Sequence, residues 1–354
     1  MSSTIRHRIA AALAAVLALG LVAAACGDDS KDESSSGSGS EPAAAEAPET
    51  ITIAYQAIPN GDLVVKHEGW LEEALPDTKI EWKKFDSGGD VNEAVAAGAV
   101  DIGLAGSSPV SRGISQELPY QVPWIHDVIG AAEALVVRSS KVTSLEDLKG
   151  KTVATPFAST SHFSLLAALD DAGVDPSSVN IIDAAPDEIY AAWTRGDIDG
   201  AYVWNPNLAK LESEGGKVLV DSAQLSEKGH TTYDLAVVTN EFAEKYPDAV
   251  TTWAEQQNKA VELIKSDPAA AAKAIAAELS ISEDEAESQL GDLIFLDASE
   301  QVGTDYLGGG LAENLFASAE FNKELGKVDA VQPESAYTDA VVTTFADAAA
   351  KAKQ

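Results

Sequence analysis

"TRGDIDGAYVWNP" runs from Thr194 to Pro206, and "AAGAVDIGLAGSSP" runs from Ala96 to Pro109. The first reads as a helix end, a tight turn and a short buried strand that stops at a proline. The second repeats the phrase. Gly98 and Gly196 stand 98 positions apart, and so do Asp101 and Asp199. A helix–Gly–x–x–Asp–strand unit therefore occurs twice. In the second copy, strand alternation puts Tyr202 and Trp204 on one face, with Trp204 at the strand end. What two such ends can enclose is the question that organises the rest of the chain.

Outward from these units, strands alternate with helices. "TITIAYQ" (Thr50 to Gln56) and "KIEWKKF" (Lys79 to Phe85) alternate as strands do, with helical spacing between them. "EALVVR", "TVATP", "VNIIDA" and "YDLAVVTN" read as further strands, and "SHFSLLAALDDAG" as a helix closed by Gly173. From about Phe242 onward the sequence is mostly helical. This alternation predicts an α/β protein with parallel strands. Its two batches predict two similar lobes, with lobe I at 51–138 plus 236–354 and lobe II at 139–235. Hinge crossings are expected at Lys141–Thr143 and near Thr231–Asp234. Ligands of open α/β sheets sit at the C-terminal ends of strands, so a small molecule is expected between the lobes.

Composition narrows the function. Of 354 residues, 45% are apolar and 23% charged, an ordinary globular mix, but the formal net charge is −33. That charge argues against nucleic acid as a partner. Arg6 and Arg8 precede an apolar run from Ile9 to Ala25, short for a membrane span, so residues 1–25 read as an export signal. Cys26 is the sole cysteine and has no internal disulfide partner. "VAAAC" resembles a bacterial lipobox, which implies lipid attachment at Cys26. Residues 26–50, low in complexity and rich in Gly, Ser and acidic residues, read as a flexible tether.

The strand ends carry Gln56, Ser107, Ser108, Ser159, Thr160, Ser161, His162, Trp204 and Asp234, while Glu133 starts its strand. No pair among them resembles a nucleophile with its base. Ser159–Ser161 precede an apolar helix and Ser107–Ser108 precede another. Each group serves either as a helix cap or as an anion site made of N–H and O–H donors on a helix dipole. Donors without Lys or Arg suit a permanently ionised oxyanion that must be released again. Trp204 offers a ring face to a cation. Asp234 and Glu133, next to apolar strands, each need a partner, whether internal or from a ligand. Together the groups describe a small zwitterion. The histidines lack metal spacing, no phosphate loop is present, and "RGD" at Arg195–Asp197 lies at a helix end.

"WKKFDSGGDV", "GSSPV", "EALVV", "STSHFSLLAAL", "AAWTRGDIDGAYVWNP" and "DSAQLSEKGHTTYDLAVV" together resemble the taurine-binding proteins of bacterial ABC importers, within the type II periplasmic-binding fold. The resemblance implies that Gln56, Ser107, Ser108, Glu133, Ser159, Thr160, Ser161, His162, Trp204 and Asp234 line the cleft. It sets the hydroxyl turns on a sulfonate, and Asp234 with Trp204 on an amine. It implies a monomeric, non-enzymatic capture protein without cofactor or metal. Joined to the lipobox reading, it gives a protein that is lipid-anchored outside the cell membrane and delivers taurine to a permease and its ATPase. "PWIHDV" (Pro123 to Val128) and Asn205 depart from the family's wording. An amine-free alkanesulfonate is the alternative ligand. An enzyme of the thiamine-precursor branch is the alternative class, and a signalling receptor a further one.

Overall fold

A computed structural model describes residues 47–138 and 142–352. The signal, Cys26 and the tether up to residue 46 lie outside the described residues, as does Lys141 of the expected hinge.

Two sheets form. In the first are β1 (Thr50–Gln56), β2 (Lys79–Phe85), β3 (Ile102–Gly106), β4 (Tyr120–Ile129), β10 (Tyr233–Thr239) and β11 (Leu293–Ile294), in the order β11-β4-β10-β3-β1-β2. The second contains β5 (Glu133–Val137), β6 (Thr152–Thr155), β7 (Asn180–Asp183), β8 (Gly200–Trp204) and β9 (Lys217–Asp221), in the order β7-β6-β8-β5-β9. Each sheet has a parallel trio, β2-β1-β3 or β7-β6-β8, followed by an antiparallel strand, β10 or β5. The architecture is the two-lobed α/β one that the alternation predicts.

The repeated unit has a physical basis. Gly98 and Gly196 both take the left-handed conformation, with φ of 64° and 79°. Asp101 then accepts a hydrogen bond from the Thr52 N–H at 2.8 Å, and Asp199 accepts one from the Thr152 N–H at 3.0 Å. In each lobe the aspartate ties the start of the central strand to its parallel neighbour. Ile51, Ile53, Ile102 and Leu235 fill the first core with Trp253 and Ile275 of the C-terminal helices. Leu135, Val153, Leu165 and Tyr202 fill one side of the second sheet.

Two expectations need correcting. The chain enters the second sheet at Gly130–Ala132, ahead of Lys141–Thr143, because Glu133–Val137 pairs with β8 and β9. A side chain at Gly130 would meet the Asp292 carbonyl oxygen at 2.5 Å, so the crossing requires a glycine. The return falls before Tyr233, which places all of β10 in the first sheet. Secondly, β4 is a ten-residue strand that the sequence reading omits. Proline normally argues against an inner strand. Here Pro123 sits where the β4–β10 register slips, so its missing N–H breaks no regular ladder bond.

Candidate ligand-binding site

The strand ends face one another across a small cavity. Gln56, Gly106, Glu133, Ser159, Thr160, Trp204, Asn205 and Asp234 line it, with Ile58, Pro59, Pro109, Ile129, Ala132 and Leu293 as apolar wall. Trp204 and Gln56 also border a wider outer groove, so the indole stands between the two spaces.

Two helices aim their N-termini at this cavity. Ser107–Ser115 starts directly after Gly106 at the end of β3, and Thr160–Asp171 starts after Ser159. Ala158, at a φ of 61°, turns the chain so that Ser159 caps the second helix through the His162 N–H at 3.1 Å. A side chain at Gly106 would lie 2.5 Å from Thr160 Cγ2, so the two helix starts, one per sheet, touch. First-turn N–H groups of two helices thus converge with the positive ends of their dipoles. Among the described residues, no lysine or arginine lines the cavity.

The carboxylates are arranged by the ladders. Glu133 is directly opposite Trp204 across β5–β8, and Asp234 is directly opposite Gly106 across β10–β3. Glu133 is almost fully buried but well supplied. It accepts from Thr160 at 2.6 Å, Ser161 at 2.8 Å, Ser222 at 2.9 Å and Ser164 at 3.3 Å. Burial pushes its pKa up, and those four hydroxyls pull it back. Asp234 has no hydrogen-bond partner for its carboxylate among the described residues. Burial, and then the charge of Glu133, push it up to about 8.

Of the residues singled out from sequence, Gln56, Glu133, Ser159, Thr160, Trp204 and Asp234 line the cavity. Four side chains are committed elsewhere. Ser107 Oγ accepts the Tyr233 N–H at 3.2 Å, and Ser108 Oγ accepts from Asn322 at 3.4 Å. Ser161 serves Glu133, and His162 stacks on Phe157 with ring centroids 4.4 Å apart. Burial lowers the His162 pKa to about 4, which leaves the ring uncharged at neutral pH. The Thr160 and Ser161 hydroxyls were expected to meet an oxyanion, yet both protons point to Glu133. The donors facing the cavity are therefore mainly backbone N–H groups. Sequence reasoning missed Ser164 and Ser222, which complete the Glu133 cage, because Ser222 comes from 89 residues away. It also missed Asp127, although a lone carboxylate in an apolar ten-residue strand is a readable signal.

Residues 49–278 match the family model described as the substrate-binding domain of ABC-type glycine betaine transport systems. The chain is 37% identical over 301 residues to the taurine-binding periplasmic protein of Escherichia coli K12, covering 83% of this chain and 92% of that one. It is 31% identical over 191 residues to a putative aliphatic sulfonates-binding protein of the same organism, 53% of this chain and 59% of the other. Among solved structures, the alkanesulfonate-binding protein of Xanthomonas axonopodis pv. citri bound to MOPS aligns with a TM-score of 0.69. The identity is 22%, with 85% of this chain and 99% of that one covered. A desulfurization enzyme shares the fold at a TM-score of 0.61 and 14% identity, with 86% of this chain and all of that one covered.

Proposed function

Because this chain belongs to the substrate-binding proteins of ABC-type transporters, we propose that the solute it captures is taurine. The observation that carries this reading is the polarity of one small cavity. Two helix N-termini converge at Gly106 and Thr160, and an unpartnered carboxylate, Asp234, faces the same space beside Trp204. A sulfonate suits the N–H end, because it stays ionised and asks for no counter-charge. An ammonium suits the other end, where it supplies the partner that the half-buried Asp234 lacks.

A quaternary ammonium such as glycine betaine is a poorer match. It has no N–H to give a carboxylate and is held by several aromatic faces, whereas Trp204 is the only aromatic residue lining the cavity among the described residues. The second reading, an amine-free alkanesulfonate, is favoured by the sulfonate-binding relatives. It would bury Asp234 beside a methyl or methylene group. Titration calorimetry of Asp234→Asn separates the two. Taurine is expected to bind roughly 100-fold more weakly, the cost of deleting one partner of a desolvated charge pair, with ethanesulfonate changed by no more than about threefold. Equal losses would assign the cavity to the amine-free ligand.

Capture proceeds by closure of the two lobes on the ligand, which shifts the population toward the form the permease reads. The fold is shared with an enzyme, so fold alone does not separate capture from catalysis. We read capture because, among the described residues, no cysteine, lysine or histidine lines the cavity to act as a nucleophile or base. We further infer that Cys26 is lipidated and that residues 26–50 tether the body outside the membrane. Mass spectrometry of the membrane-extracted chain, with Cys26→Ala as control, tests that anchor.

A further inference from the structure

Strand β4 carries a carboxylate, Asp127, that the reading above does not use. It is fully buried, and neither of its oxygens has a hydrogen-bond partner among the described residues. It stands directly opposite Asp234 in the β4–β10 ladder. Directly opposed residues of an antiparallel pair lie beside one another, and here the register slips at the next step, between Asp234 and Leu235.

The surroundings of the pair are acidic or neutral. On the other side of Asp234, β3 presents Gly106. The end of β1 offers Gln56, whose amide donates to the Leu104 carbonyl, and β11 offers Leu293 and Ile294. The start of β5 adds a third carboxylate, Glu133, whose charge raises the pKa of both aspartates. The one basic neighbour along β4 is His126. Its ring lies against Asp62 at 3.8 Å and edge-on to Trp253, and burial holds its pKa down to about 3. Two carboxylates opposed in such a place cannot both ionise cheaply. Burial and mutual repulsion raise Asp127 well above the usual range.

We propose that Asp127 and Asp234 act as one carboxylate pair sharing a proton, and that an ammonium-bearing ligand is captured in exchange for that proton. The inference rests on the assignment of Asp234 to the amine. The exchange conserves charge, since one cation leaves the pair for solvent as another arrives. The interior never holds two bare carboxylates. No covalent bond to carbon, sulfur or nitrogen changes. Asp127 thereby becomes a specificity residue, because a ligand without an ammonium has nothing to offer for the proton.

Calorimetry of the full-length protein, in two buffers of different ionisation enthalpy at pH 6 and pH 7, counts protons directly. About one proton is expected to leave per taurine bound, and about none per ethanesulfonate. Over the same range taurine affinity should rise by up to about tenfold per pH unit, while that of ethanesulfonate stays flat. Asp127→Asn should reduce the proton release with taurine and its pH slope, since an amide donor opposite Asp234 favours the ionised form that a second carboxylate opposes. Equal proton counts for both ligands, or none with taurine although it binds, would overturn the pair while leaving the functional reading intact. If neither ligand bound at either pH, the functional reading would fall and the proposal with it.

Discussion

The two repeated units share a framework and differ at their tips. Gly98 and Gly196 make the same left-handed turn, and Asp101 and Asp199 each tie the equivalent neighbouring strand, β1 and β6. Ninety-eight residues separate Gly106 from Trp204 as well, so the final residue of β3 corresponds to the final residue of β8. Each has a carboxylate directly opposite, Asp234 for Gly106 and Glu133 for Trp204. The symmetry then breaks. Glu133 is caged by four hydroxyls, whereas Asp234 has no hydrogen-bonding partner among the described residues and faces a second carboxylate. One copy of the motif spends its acid on holding the lobe together. The other keeps its acid for something outside the chain.

The sharpest way to break this comparison is to remove each acid and measure stability by urea unfolding. Glu133→Ala strands the hydroxyls of Thr160, Ser161, Ser164 and Ser222 in a dry interior, and should cost about 3 kcal/mol or more. Asp234→Asn removes a raised, unpartnered acid and should change stability by less than about 1 kcal/mol, or increase it. Equal costs would mean that the two carboxylates do the same job, and the asymmetry would be lost.

A smaller effect is expected at the tips. Gly106 leaves room for Thr160 of the opposite lobe, and the first carbon of any side chain there would sit 2.5 Å from Thr160 Cγ2. Gly106→Val should hold the lobes apart at the point where the two helices meet. Overpacking of this kind costs about 1–3 kcal/mol, roughly ten- to 100-fold in taurine affinity. The cost should appear in ligand binding and much less in thermal stability, because either lobe accommodates the valine once they separate. A loss confined to the melting temperature would show that Gly106 belongs to a core and not to a closing surface.

The repeat was legible because it is local: a glycine, an aspartate and an alternating strand lie within a dozen residues. The ends of β3 and β8 followed from it, and with the latter Trp204; Gln56 and Asp234 came from strands read on their own, and Asp234 proves to open β10 instead of closing it. What escaped was long-range. Strand β5 reads as a uniformly buried run, and such a run carries no mark of which sheet it joins. Strand β4 was masked by Pro123, whose tolerance depends on a slipped register contributed by β10. The hydroxyls of Thr160 and Ser161 look free for a ligand until Glu133 is seen to fold onto them from 27 and 28 residues away.

The smallest effect concerns what the repeats share. An alanine at Gly98 or Gly196 would meet nothing within 4 Å, so its cost is the backbone penalty alone. A left-handed turn costs an ordinary residue about 1–2 kcal/mol. Both substitutions should therefore lower stability by the same amount, in contrast to the acids one strand-length away. Calorimetric melting of Gly98→Ala and Gly196→Ala, singly and together, tests this. The sites precede strands of different sheets and share no partner, so the double variant should show the sum of the single losses. If instead Gly98→Ala moved one transition and Gly196→Ala another, the lobes would be unfolding separately. Their symmetry would then be one of stability units as well as of shape.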